Sequence, residues 1–272
     1  MNRDNNKSKF KLEGTPHIYY INLDDQPERR EYMEDQFEHW GITNYTRVSA
    51  YDGREDDLGS ILKGRYPDHV SSGEVGCVTS HLKAIKQFYE SGDPYAIMME
   101  DDCSLELVKF WNFTWKDFFC RIPYDWDVCQ IAIICTGDIQ IKIHKRFVNE
   151  FSTACYVITR HHAKKMIDLH TRKDKYKLDN GVRPRPVADD LLYNSGNSYA
   201  LPLLLYHIPL GSSIHPEHID VFHKGNFDAQ WNFWTNQGAQ LSIDTLMDYD
   251  PYYGRTAQPS GNPTPPETYD KD

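Results

Sequence analysis

Three consecutive segments near the start of the chain constrain its fold more than anything else in it. "HIYYINL", His17 to Leu23, is a continuous apolar run, the pattern of a strand covered on both faces. "DDQPERREYMEDQFEHWG" follows, in which Met33, Phe37 and Trp40 form one apolar stripe at helical spacing and Gly41 ends it. Asp25 is placed to cap that helix, Pro27 suits its first turn, and Glu28 stands three after Asp25 as in a capping box. "YTRVSAYDG" then reads as a second strand that breaks at Asp52-Gly53. Strand, helix, strand implies a parallel pair, and hence an α/β sheet.

The same logic extends along the chain. Residues 54–70 are irregular and charged and read as a loop. "SSGEVGCVTSHLKAIKQFYESGDP" reads as a long helix: Ser71 and Glu74 make a capping box, Val75, Val78, Leu82, Ile85 and Tyr89 share a face, and Gly92 and Pro94 stop it. "YAIMMEDD" is a strand, and residues 105–120, rich in Phe and Trp, read as a helix. "DWDVCQIAII" and "STACYVITR" are further strand candidates, "HHAKKMIDLH" is a short helix, and "PVADDLLYN" and "YALPLLLYHI" complete the core. The expected organisation is a flexible N-terminus (1–15), one domain over 16–248, and a disordered Pro/Gly-rich tail over 249–272.

Composition removes several function classes. The 272 residues carry 30 Lys and Arg against 40 Asp and Glu, a formal net charge of -10, so no basic face is available for nucleic acid. No apolar run has spanning length, and "MNRDNNKSKFKLEG" lacks the apolar core of a secretory signal. Six scattered cysteines form no CxxC pair, which fits a reduced, soluble intracellular protein. Most of the abundant Tyr and Trp read as core.

Candidate chemistry centres on acids. The apolar run Ala96 to Met99 ends in Glu100, Asp101 and Asp102, at the carboxyl end of a strand, where open α/β sheets bind ligands. Hard carboxylate oxygens suit Mn²⁺ or Mg²⁺; alternatively, Asp102 or Ser104 caps the following helix. Asp189 and Asp190 stand in an otherwise apolar setting, either as a base for an incoming hydroxyl or as a helix N-cap pair. Arg29 and Arg30 either face an anionic ligand or pair at i,i+4 with Asp25 and Glu34. "SSIHPEHIDVFH" matches no zinc pattern, though one of its histidines could complete an oxygen-rich metal site. Neither GxGxxG nor a Walker sequence is present.

In order, "YYINLDDQPERREYMEDQF", "VSAYDG", "SGEVGCVTSHLKAIKQF", "AIMMEDD", "STACYVITRHHAKKMI" and "RPVADDLLYN" resemble glycosyltransferase family 25 over roughly residues 17 to 215. The resemblance implies a GT-A type fold, with a Rossmann-like, mostly parallel sheet, a nucleotide-sugar half at about 16–135 and an acceptor half at about 136–248. It also implies a DxD-type acidic motif that holds Mn²⁺ against the diphosphate of a UDP-sugar. Glu100, Asp101 and Asp102 match that motif, with Asp102 as the first choice of metal ligand. Asn22, Leu23, Tyr51 and Asp52 match the stretches that line the nucleotide, and Glu74, Ser80 and His81 the helix beside the donor. Arg30 joins these as a donor-side candidate. His215 sits where many GT-A enzymes place a histidine ligand to the metal. The family inverts, so one general base serves the acceptor hydroxyl, and Asp189 or Asp190 is the candidate. Here the family's P-[VI]-D becomes Pro186-Val187-Ala188-Asp189, one residue longer, while Asp189 keeps the D-x-x-L spacing to Leu192. The acceptor is expected to be a glycan, a lipooligosaccharide or hydroxylysine. A non-catalytic binding relative and a sugar-nucleotide hydrolase are the competing expectations.

Overall fold

A computed structural model of the chain describes residues 10–135, 139–178, 185–211 and 223–250. Its strands are β1 (Ile18–Asn22), β2 (Tyr45–Ser49), β3 (Tyr95–Glu100), β4 (Cys103–Ser104), β5 (Val128–Ala132), β6 (Ile134–Cys135), β7 (His144–Lys145), β8 (Glu150–Phe151), β9 (Cys155–Thr159), β10 (Thr171–Arg172), β11 (Lys175–Tyr176) and β12 (Ser198–Tyr206). Its α-helices are α1 (Pro27–Trp40), α2 (Leu58–Ile61), α3 (Ser72–Ser91), α4 (Trp115–Phe119), α5 (Arg160–His170), α6 (Ala188–Tyr193), α7 (Lys224–Gln237) and α8 (Ile243–Leu246).

The main sheet has the order β2-β1-β3-β9-β5-β12-β4, with β7 also on β12. β1 pairs parallel with β2 and with β3, as the opening pattern predicts, and β5 pairs parallel with β12. β9 lies between β3 and β5 and is antiparallel to both. Five long strands therefore point one way and one is reversed. The sheet crosses both expected halves without interruption, since β9 and β12 of the second half stand in the same layer as β2, β1, β3 and β5 of the first.

Alternate residues of the strands feed two cores. Ile18, Tyr20, Ile97 and Met99 pack with the Met33, Phe37 and Trp40 stripe of α1 and with Trp111, Trp115 and Trp234. Tyr19, Ile21, Ala96 and Met98 pack with Val75, Val78, Leu82 and Ile85 of α3 and with Ala163 and Met166 of α5. This two-sided burial is why the strands read as continuous apolar runs.

Several local expectations are revised. α3 has its capping box: Ser71 Oγ accepts from Glu74 N and Glu74 Oε2 from Ser71 N. α1 has none; its N-cap is Gln26 and makes no side-chain cap bond, leaving Pro27 to set the first turn. Residues 105–120 form a 3₁₀ turn, Glu106–Phe110, and then α4, because Thr114 starts a new capping box with Asp117. The 54–70 loop contains α2. In the expected N-terminal extension, Phe10–Leu12 form a 3₁₀ turn, and Glu13 O accepts from Lys116 N at 3.0 Å. Residues 1–9 and 251–272, and with the latter most of the expected tail, lie outside the described residues. Among the described residues no helix is long and apolar enough to cross a membrane.

Candidate active site

Because β1, β2 and β3 are parallel neighbours, their carboxyl ends meet at one edge. Asn22, the Ala50-Tyr51-Asp52-Gly53 loop and Glu100-Asp101-Asp102 all line one pocket there, with Leu23, Arg29, Cys77, Ser80 and His81. The three acids have different surroundings. Asp101 is buried and its oxygens are occupied: Asn22 Nδ2 donates to Oδ2 at 2.7 Å, and Arg29 Nε to Oδ1 at 2.7 Å. Arg29 Nη2 reaches Asp102 Oδ2 at 2.9 Å. The other Asp102 oxygen, Oδ1, is buried with no partner. Burial and then the neighbouring Glu100 charge, against the pull of Arg29, push the Asp102 carboxyl up to about 7.

Glu100 receives both of its hydrogen bonds on one oxygen, Oε1, from His81 Nε2 at 3.1 Å and Thr153 Oγ1 at 2.6 Å. Burial opposes its ionisation, but His81, Thr153 and Arg29 outweigh it and hold the carboxyl below its ordinary value. Neither the three acids nor Ser104 caps the 3₁₀ turn that follows: its N-cap is Leu105, with no side-chain cap bond, and Ser104 Oγ accepts from Glu106 N at 3.3 Å.

The loop and α3 are locked together by two glycines. A Cβ on Gly53 would lie 1.7 Å from Ser72 O, and one on Gly76 would lie 2.6 Å from Gly53 N and 2.7 Å from Tyr51 O. Only a bare backbone permits that approach, which explains the glycines of "AYDG" and "GEVGC". Ser80 Oγ completes the joint, accepting from Tyr51 N at 2.8 Å and donating to Gly76 O at 2.6 Å. Ser80 and Glu74 thus act on the frame of the pocket, through the joint and the helix cap. Arg185 Nη1 also reaches Glu74 Oε1 at 3.3 Å. The Asp52 carboxylate is gripped by Arg54 at 2.7 and 2.9 Å.

The reversed strand β9 brings its entry loop, not its exit, to this edge of the sheet, although neither that loop nor Asp189 or Asp190 lines the pocket itself. Ser152 in that loop has φ 97, a left-handed conformation uncommon for serine. Its carbonyl accepts from Gln130 Nε2 at 2.8 Å and Tyr193 Oη at 3.0 Å, and its backbone lies near the Asp189 carboxylate and favours the charged form. Asp189 Oδ1 is itself buried without a partner. Burial leads the forces on this carboxyl; Arg146 opposes it, Glu100 and Asp190 add to it, and the result is a rise to about 6. Asp190 has another setting, buried, with Oδ2 accepting from Arg185 N at 3.1 Å. Of the two acids, Asp189 is the one electrostatically joined to Glu100.

The structure does not bring Arg30 to the pocket. Arg30 pairs with Glu34 at 2.8 Å on the exposed face of α1, and Arg29 occupies the site instead. The sequence held the signal: Arg29, Met33, Phe37 and Trp40 fall on one helical stripe, and all four are buried. Thr153 lies within the quoted "STACYVITR" but nothing in that block singles it out, and Arg146 stands in no quoted block. His215 lies outside the described residues, although His207–Gly211, just before it, runs beside the acids: His207 N donates to Asp102 O, and Arg29 Nη1 to Leu210 O.

Residues 15–121, from β1 through α4, match the model of glycosyltransferase family 25 (LPS biosynthesis protein). Two curated relatives, each named "Glycosyltransferase 25 family member", come from Aedes aegypti and Drosophila pseudoobscura pseudoobscura. They are 31% identical to this chain over 104 and 107 residues, 34% and 35% of its length. Those matches span only 17% and 16% of the relatives' own length. A solved glycosyltransferase involved in the glycosylation of the major capsid of PBCV-1 is similar over 76% of this chain and all of its own, at 10% identity and TM-score 0.36. Family 25 is thus the family to which the matched stretch relates this chain, in agreement with the resemblance read from its motifs.

Proposed function

We propose that the chain is a metal-dependent, inverting glycosyltransferase of GT-A type that moves a hexose, galactose or glucose, from a UDP-sugar to a hydroxyl. The acceptor class is a glycan, lipooligosaccharide or hydroxylysine. The observation that carries this reading is the unpartnered Asp102 Oδ1, buried beside Glu100 in the pocket at the strand ends. A buried carboxylate oxygen without a donor is costly. A hard divalent cation is the partner that oxygen chemistry favours.

Asp102 and Glu100 would hold Mn²⁺ or Mg²⁺. When bound, such an ion offsets the negative charge that builds on a departing diphosphate. The chain's own residues do the rest. Asn22 and Arg29 fix Asp101, and through it the turn that presents Asp102. Tyr51 and Asp52, braced by Ser80 and Arg54, border the nucleotide side. Asp189, raised toward neutrality chiefly by burial, accepts the acceptor hydroxyl's proton as that oxygen attacks the anomeric carbon.

Thermal denaturation with UDP, in Mn²⁺ or in EDTA, on wild type and Asp102→Asn, tests the reading. A UDP-induced rise in melting temperature that needs both Mn²⁺ and Asp102 is the expected result. No rise under any condition would sink it and favour the non-catalytic binding relative. Free sugar without transfer would convert it to a hydrolase.

A further inference from the structure

The geometry points to a second class of cation for the same cleft: a borderline-soft divalent ion such as Zn²⁺, bound by Cys77, His81 and Glu100. Cys77 and His81 are four apart on α3 and so share one helical face. Glu100 closes the set from the end of β3. One ligand atom from each, the Cys77 sulfur, a His81 ring nitrogen and a Glu100 oxygen, lies within 4.8 Å of the others, and among the described residues no other trio of His, Cys, Asp or Glu does so. Thiolate, imidazole and carboxylate together are zinc's donor set, not that of Mg²⁺ or Mn²⁺, and three protein ligands leave a fourth position open.

The groups around His81 and Glu100 suit the role, while burial and the Glu100, Asp189 and Asp102 charges keep the Cys77 thiol protonated until an ion binds. His81 Nδ1 lies 3.0 Å from the hydroxyl of the buried Tyr156, which orients the ring and can hold its proton on the far nitrogen. His81 Nε2 already faces Glu100 Oε1 at 3.1 Å, and Thr153 steadies the same carboxylate. Cys77 lines the pocket and is therefore reachable. On binding, the thiol proton leaves to solvent and the imidazole proton moves from Nε2 to Nδ1, toward Tyr156 Oη. The Nε2 lone pair then replaces its hydrogen bond to Glu100 with a bond to the ion. Because Glu100 serves both sets, the soft ion removes a carboxylate from the hard-ion site and inhibits. Binding at these three atoms does not depend on the transferase reading; the inhibition does.

Co²⁺ is the probe, because a cobalt–thiolate bond gives a charge-transfer band in the near ultraviolet. The EDTA-stripped full-length chain, titrated with Co²⁺, is expected to develop that band with one ion per chain, and Zn²⁺ to abolish it. Cys77→Ser should lose the band and His81→Gln should weaken binding at least tenfold, while Cys120→Ser, which removes an exposed cysteine, changes neither. No band in the wild type, or an unchanged band in Cys77→Ser, overturns the site. One equivalent of Zn²⁺ should also remove the Mn²⁺-dependent UDP shift. If that shift survives Zn²⁺, the competition is refuted and the site stands. If UDP gives no shift at all while the cobalt band appears, it is the transferase reading that has failed.

Discussion

Replacing Arg29 by glutamine takes away a cation that two buried carboxylates share. The guanidinium gives Nε and Nη2 to Asp101 Oδ1 at 2.7 and 2.6 Å, Nη2 to Asp102 Oδ2 at 2.9 Å, and Nη1 to Leu210 O at 3.1 Å. Its side chain is only 9% exposed, and those of Asp101 and Asp102 10% and 17%, so solvent screens the stranded charges little. Removing one partner of such a buried pair costs about 3–5 kcal/mol. At roughly 2–4 °C per kcal/mol for a domain of this size, the melting temperature should fall by roughly 6–20 °C. Arg30→Gln is the matched control, one residue along and on the exposed face, and should leave the transition where it is. Urea denaturation at neutral pH, followed by the fluorescence of the buried Trp111, Trp115 and Trp234, measures both. A loss below about 1 kcal/mol for Arg29→Gln, far short of what a stranded buried charge costs, or equal losses in the two variants, would refute the argument.

Gly76→Ala forces a methyl against the backbone of Gly53 and Tyr51. It should cost about 1–3 kcal/mol, as overpacking does, and lower the UDP-induced thermal shift; a wild-type melting curve would show that the joint can give. For Asp189 the pH dependence has a definite sign. A base works ionised, and this carboxyl is raised to about 6, so kcat/KM should fall about tenfold per unit as pH drops below that value. Asp189→Asn should abolish transfer and keep the UDP shift, and transfer surviving in that variant would assign the base elsewhere.

What the sequence revealed divides by how local its cause is. The β1–α1–β2 unit, the two-sided strands and the Ser71/Glu74 cap were legible because apolar spacing and capping act over a few residues. The acids were legible for the same reason: an apolar strand running into three carboxylates demands an explanation wherever the strand lies. The direction of β9 was not, since nothing in "STACYVIT" encodes whether its neighbours run with it or against it. Thr153 and Ser152 reach the site only through that reversal. Asp189 and Asp190 look alike in sequence and are separated by the approach of Arg185 to one and of Ser152 to the other. Arg29 is the instructive case: it stands beside Arg30 as a candidate for an anionic ligand, and the periodicity of Met33, Phe37 and Trp40 already separates the two.

The stretch that relates this chain to family 25 closes at residue 121, but the sheet does not. That stretch supplies β2, β1 and β3 in order, and the free side of β3 is then covered, from Tyr95 to Met99, by β9 at residues 155–159. A protein cut at 121 would present a row of unpaired peptide groups along its most apolar strand, an open template for another chain. The part of this molecule most easily recognised by its relatives is therefore not a part that could be expressed alone. Any excised fragment must carry the reversed strand, and with it the loop that steadies Glu100.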